Sequence, residues 1–227
     1  MIQRNRATLA HVTEVLDTPP TRADWVDQLL RTAILHGDLA PGEKLVAERL
    51  AQQWGVSATP LRETFRRLAG EGLVVLEPQR GARVAPVSFS EAAEIYEVRL
   101  LLDPVAIAQS VSAGDQSFVD EVATSYRALT RRYASTAAAH DAHRAFHLAL
   151  VSRCPNRLLV DQVASLLEHS QRIQVALATA GHRKGDAATE HRQLFEAAST
   201  GDGRGAAALL RTHLQATLAA VRAAGAV

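Results

Sequence analysis

His143 and His147 stand four residues apart in a stretch of helical pattern, so both imidazoles leave one helix face and can converge on a single ion. His191 and His213 fall in two later regions of helical pattern, each inside an amphipathic run. An antiparallel bundle can bring all four to one interior point. A single histidine would read as an ordinary buried or surface residue, and it is the converging set that points to a metal. Imidazole suits zinc, nickel or copper better than magnesium or calcium, so a divalent transition metal, zinc or nickel, is the expected ion. His140 shares the face of His143 and His147 and is a reserve ligand. His11, His36, His169 and His182 read as surface or helix-end residues. Asp141 lies two residues from His143 and is directed to the other side of the helix.

A second constellation lies upstream, in the run from Gly55 to Leu68. Arg62 and Arg66 are four apart, which sets them about 40° from each other around a helix, with Arg67 beside them. A helix fits the major groove of DNA, and side chains near its N-terminus reach base edges. Ser57 and Thr59, at the start of that helix, can bond phosphate oxygens alongside backbone amides. Arg80, in the turn Pro78-Gln79-Arg80-Gly81, can reach a neighbouring minor groove or phosphate. The whole chain of 227 residues carries a formal charge of only +1. From Arg49 to Arg83, however, there are six arginines against three glutamates, so the positive field is local to these elements.

The elements that must position these residues follow from periodicity and punctuation. Residues 1–20 read as a flexible polar arm ending in Pro19-Pro20. A helical stripe starts at Asp24 with Trp25, Leu29 and Ala33, flanked by Val26, Leu30 and Ile34, and ends at Gly37. Pro41-Gly42 makes a turn. A short helix is expected from about Ala47 to Trp54, closed by Gly55, and a third over about 58–70, capped by Ser57 or Thr59 and burying Leu61, Phe65 and Leu68. The period then changes: Leu73 to Leu76 and Ala82 to Val84 read as two strands about the turn. Helix, helix, turn, helix, hairpin is the order of a winged helix-turn-helix, placed at 21–87.

After Pro86 the pattern is helical almost to the end, opening on the capping signature of Ser88 with Glu91. Helices are expected at 89–113, 116–135, 137–153, 156–180, 184–200 and 203–223, joined by short connections. The expected fold class is mainly α: an N-terminal winged helix-turn-helix followed by an all-helical antiparallel bundle of six or seven helices, over 88–227. Hydrophobic residues make up 47% of the chain, enough for a buried core. The lone cysteine, Cys154, excludes an intramolecular disulfide and fits a reducing cytoplasm; it reads as a small helix-terminal residue before Pro155. No run approaches the ~18 apolar residues of a membrane span, and the first residues lack a signal-peptide pattern, so a cytoplasmic protein without membrane contact is expected.

The run from Gly55 to Leu68 resembles the recognition helix of the GntR family of bacterial regulators. The resemblance continues upstream through Gly37-Asp38-Leu39-Ala40-Pro41-Gly42 and downstream through Glu71-Gly72-Leu73 and Arg80-Gly81. The helical half resembles the FCD ligand-binding domain of that family's fatty-acid-regulator branch. The matching residues are Tyr96-Glu97-Val98-Arg99, Leu102-Asp103-Pro104, Phe146-His147, Cys154-Pro155-Asn156, Glu190-His191 and His213. The resemblance implies a metal held by one Asp and three His. The three histidines map to His147, His191 and His213, and His143 stands at the Asp position, so four neutral imidazoles replace three and a carboxylate. It also implies that Arg99 clamps a carboxylate of a small effector, as a guanidinium fork can; Arg172 is a second candidate for the cavity. An ordinary salt bridge to a neighbouring helix is the plainer role for Arg99.

Two departures stand out in the reader. The family usually carries arginine where this chain has Ala58, and commonly where it has Glu48. A lost bidentate base contact typically costs ~1–3 kcal/mol of discrimination, so an operator unlike the common family half-site is expected. Arg49, beside Glu48, is a further DNA-binding candidate that could replace part of the lost contact, although it points about 100° away on its helix.

The expected function is a homodimeric DNA-binding transcription regulator, a repressor, that reads a pseudo-palindromic operator. A small carboxylate-bearing metabolite bound near the metal would control it. The alternative is a regulator for which the ion itself is the signal. A metalloenzyme is the reading from another class. His143-Arg144-Ala145-Phe146-His147 has the spacing of a zinc-protease helix but lacks the glutamate that serves there as general base, so no catalytic residue is assigned.

Overall fold

A computed structural model describes residues 21–78, 80–131, 137–179 and 187–226. The arm over 1–20, Gln79 of the expected turn, His11 and His182 lie outside the described residues. The chain divides between Val87 and Ser88 into two compact units.

In the first unit, α1 (Arg22–Leu35) starts at Thr21, whose hydroxyl accepts from the Asp24 amide and so satisfies one of the orphan donors of the first turn. Its buried stripe includes Val26, Leu29, Leu30, Ala33 and Ile34. α2 (Ala47–Trp54) ends on Gly55, which takes the left-handed conformation with φ of 67° that a Cβ would strain. That turn leads directly into α3 (Ala58–Gly70), which buries Leu61, Thr64, Phe65 and Leu68. Ser57 occupies the N-cap position of α3, but its hydroxyl makes no capping hydrogen bond. The hairpin consists of β2 (Val74–Glu77) and β3 (Gly81–Val84), antiparallel, with Val74 opposite Val84 and Glu77 opposite Gly81. A two-residue strand, β1 (Lys44–Leu45), pairs with the other edge of β3. The sequence reading missed it because two residues carry no alternation. Leu30, Leu50, Leu61, Phe65, Leu68 and Val84 meet in one core between the helices and the sheet.

Every element of the second unit among its described residues is a helix: α4 (Phe89–Ala113), α5 (Gln116–Arg131), α6 (Ala137–Val151), α7 (Arg157–Thr179), α8 (Ala187–Ser199) and α9 (Gly203–Gly225). Ser88 caps α4 by accepting from the Glu91 amide. Pro104 lies inside α4 and has no N–H to give to the Leu100 carbonyl one turn back. The Arg211 guanidinium of α9 donates to that carbonyl instead, at 3.2 Å. α4 packs most extensively against α9. The two backbones come close at Gly203, where a Cβ would stand 2.6 Å from the Ala108 carbonyl oxygen. On the other side, Tyr126 of α5 stacks on Phe195 of α8 at 4.7 Å. Cys154 is buried just after α6, its thiol donating to Gln109. No helix among the described residues is long and apolar enough to cross a membrane.

An added Cβ at Gly203 would meet the Ala108 carbonyl of the backbone at 2.6 Å as well as the Ser112 hydroxyl at 2.7 Å. Gly203→Ala is therefore expected to destabilise the helical unit by about 1–3 kcal/mol. A thermal melt followed by circular dichroism should show its transition several degrees lower.

Candidate functional site

The reading face of the first unit is the exposed side of α3. Because the stripe Leu61, Phe65, Leu68 is buried, the opposite face presents Thr59, Arg62 and Arg66 to solvent. Between α3, the start of α2 and the hairpin lies a groove of about 490 Å³, lined in part by Lys44, Glu48, Arg62, Arg66, Leu76 and Arg80. Arg66 and Arg80 make no ion pair with a described residue, so their charge faces outward. Arg62 donates to Glu48, and the two side chains are 59% and 64% exposed. The Glu48 carboxyl is held below the usual range, first by its own backbone amide at the start of α2 and then by the Arg62 guanidinium.

Two arginines expected on this face are directed elsewhere. Arg49 donates to Glu43 at 3.2 Å and to the Lys44 carbonyl at 3.4 Å, which holds it on the β1 side. Arg67 donates to Asp27 of α1 at 3.0 Å and so belongs to the seam between α1 and α3. Ser57 and Thr59 are exposed at the N-terminus of α3. Lys44 joins the groove although no sequence pattern marked it, since it stands on the short β1.

In the second unit, α6 contributes His143 and His147, α8 contributes His191 and α9 contributes His213. Their ligand atoms all lie within 4.8 Å of one another; His143 is half-buried and the other three are buried. The Nε2 atoms of His143 and His147 are 3.2 Å apart. Tetrahedral zinc with Zn–N bonds of about 2.0–2.1 Å has N···N edges of about 3.3 Å, so this pair already has the spacing such an ion requires. His147 is held neutral, its pKa pushed well below 6.5, first by burial and then by the neighbouring imidazoles and Arg99. A neutral imidazole is the form that ligates. Glu190 accepts from Nδ1 of His213 at 2.6 Å, which fixes the tautomer and leaves Nε2 as the ligating atom. The residue pair Glu190-His191 was visible in the sequence; the bond from Glu190 to another helix's histidine was not.

His140 stands outside the four-imidazole group, and Asp141 accepts from Gln171 instead of joining it. Arg99 is almost fully buried. Its Nε and Nη2 donate to Asp103 at 2.9 and 2.8 Å, and its Nη1 donates to Ser170 at 3.1 Å. Three of its five N–H donors are thus engaged, and its ionic partner is one turn along its own helix rather than on a neighbouring one. Burial raises the pKa of Asp103, and the guanidinium partly offsets that. Arg172 is half-buried on α7, its pKa lowered by burial, with Glu91 at the start of α4 as its charged neighbour. It is not part of the imidazole group.

Comparison with known proteins agrees with both halves. The family described as bacterial regulatory proteins, gntR family, matches residues 22–84, and the FCD domain matches residues 94–216. The chain belongs to the GntR family of DNA-binding transcription regulators and carries an FCD domain. It is 29% identical over 206 residues to the HTH-type transcriptional regulator BphR of Paraburkholderia xenovorans, covering 87% of this chain and 84% of that one. It is 26% identical over 195 residues to the HTH-type transcriptional repressor GlaR of Escherichia coli K12, covering 82% and 89%. A GntR transcriptional regulator from Rhodococcus sp. RHA1 superposes with a TM-score of 0.77 at 25% identity, over 89% of this chain and 98% of that one. These are regulators and not enzymes, so the metalloenzyme reading is set aside.

Two outcomes are expected of variants at these sites. If the imidazole group holds zinc, Glu190→Gln should weaken that binding about 10–100-fold, measured by competition with a chromophoric chelator, because it removes the carboxylate that orients His213. Arg66→Ala should lower the slope of log K against log salt on duplex DNA by about 0.9 if it meets one phosphate, measured by fluorescence anisotropy.

Proposed function

We propose that this chain is a homodimeric repressor controlled by a small organic acid, with a divalent transition metal, zinc or nickel, held in the helical unit by His143, His147, His191 and His213. The observation that carries this reading is the convergence of four imidazoles from three helices in the interior of the bundle. Three of the four are buried, and His147 is held neutral, the form that ligates. When bound, the ion would act as a Lewis acid toward a carboxylate oxygen of the effector, which would be an added ligand beyond the four imidazoles.

The residues around that position have separate tasks. His147 stays neutral, Glu190 orients His213, and Arg99 adds positive charge near the imidazoles while tying α4 to α7 through Ser170. Arg99 thus favours an anion through its field, with three of its five N–H donors engaged by Asp103 and Ser170. Repression is supported by the likeness to a relative named as a repressor. A two-fold dimer is supported by the apolar stripe of Val98, Leu101 and Val105 on α4, exposed at 42%, 69% and 46% and spaced for one helix face. The effector acts only if it binds the free and DNA-bound states unequally.

The donor set also favours a second reading, in which the ion itself is the signal. Without a carboxylate ligand the site carries no negative charge of its own among its four donors, which favours a softer, reversible transition-metal site over a permanent hard-cation one. One experiment separates the two. Gel shift on DNA upstream of the protein's own locus is measured with metal-free protein, with zinc, and with zinc plus a panel of small carboxylic acids. Release only on adding an acid is the expected result. Release by zinc alone selects the second reading, and uniform weak binding with no preferred fragment at moderate salt contradicts both.

A further inference from the structure

We propose that Glu48 is a specificity-determining residue of the reader: paired with Arg62, it accepts the N4 amino group of a cytosine while Arg62 takes a guanine on the same or the adjacent base pair. The two side chains come from different helices, α2 and α3, fourteen positions apart, and meet at the groove that the hairpin closes on its other side. Both are exposed, so neither is drawn into the pair by burial.

A carboxylate on a face that meets DNA is repelled by phosphate and needs a donor to offset that. In the major groove the donors are the amino groups of cytosine and adenine, and carboxylates pair with the former. Glu48 is ionised and acts only as an acceptor. It therefore repels guanine O6 and N7 and thymine O4 where it lands, which discriminates by exclusion as well as attraction. Arg62 keeps most of its five N–H donors after meeting Glu48, enough for the bidentate contact to guanine O6 and N7. The carboxylate also fixes the rotamer of Arg62, so the long side chain is oriented before DNA arrives. Ala58, at the first position of α3, offers no polar side chain that could read the same bases in their place.

The proposal rests on α3 being the reading helix, and the test keeps the two apart. Full-length wild type, Glu48→Ala, Glu48→Gln and Arg62→Ala are each used to select bound duplexes from a random library, and preferences are confirmed by anisotropy on single-base variants. Wild type is expected to fix one G·C pair in each half-site at the position that Glu48→Ala relaxes. Discrimination there should fall at least about fivefold, with the remaining positions unchanged and overall affinity equal or higher. Glu48→Gln, whose amide prefers adenine, should move that position toward A·T. If Glu48→Ala returns the wild-type sequence with the same weights, Glu48 is an electrostatic brake only and the proposal is overturned. If wild type enriches sequence but Arg62→Ala leaves it unaltered, or wild type enriches none, the reading of α3 fails and the proposal with it.

Discussion

The helical unit is organised around the convergence of four imidazoles, three of them buried, at one point. Each nitrogen brought into that interior must find a partner, and charging several of them together would cost far more than burial returns. The geometry requires α6, α8 and α9 to hold a fixed register, because His143 and His147 alone define only one edge of the group. Phe146 packs against both His147 and His191 at 5.7 Å, so apolar contacts hold the polar cluster in place. α9 is held against α4 by the close approach at Gly203 and by Arg211 on the carbonyl that Pro104 frees. The seam on one side of α9 thereby sets where His213 stands on the other.

Around this cluster the remaining buried polar groups are organised in pairs. Arg99 and Asp103 neutralise each other within α4, and Ser170 carries that pair across to α7. A buried guanidinium without its carboxylate would be severely destabilising, which makes this pair a condition of folding before it is a feature of any ligand site. The first unit follows the opposite rule. Its ion pairs are exposed or half-buried, the exposed ones individually worth about 0–1 kcal/mol, so they position side chains while leaving them able to change partner. Arg49 and Arg67 are engaged inside the unit, Arg62 is shared with Glu48, and Arg66 and Arg80 face outward. A chain with almost no net charge can in this way present a cationic groove.

Much of this was legible in residue order. Gly55 and the stripe Leu61, Phe65, Leu68 placed α2 and α3, whose bounds agree with the expected ones, because a left-handed cap and an amphipathic period are local signals. Ser88 with Glu91 fixed the start of α4 for the same reason. The i, i+4 spacing of His143 and His147 marked the centre, and the amphipathic runs around His191 and His213 supplied the rest. What escaped depends on contacts between distant segments. β1 exists only because β3 offers it an edge. The turn of Arg67 toward Asp27 spans forty positions, and that of Glu190 toward His213 joins two helices. Arg99 shows a different limit: Asp103 at i+4 was in view, but a free guanidinium and a paired one look alike in a sequence.

The all-imidazole centre is tested most directly by the X-ray absorption spectrum of the zinc-loaded, effector-free protein. The expected spectrum has nearest nitrogen or oxygen atoms at about 2.0–2.1 Å, with multiple scattering that fits four imidazoles per zinc and falls by one imidazole in His143→Ala. A spectrum that fits three imidazoles in wild type and is unaltered by His143→Ala would contradict it.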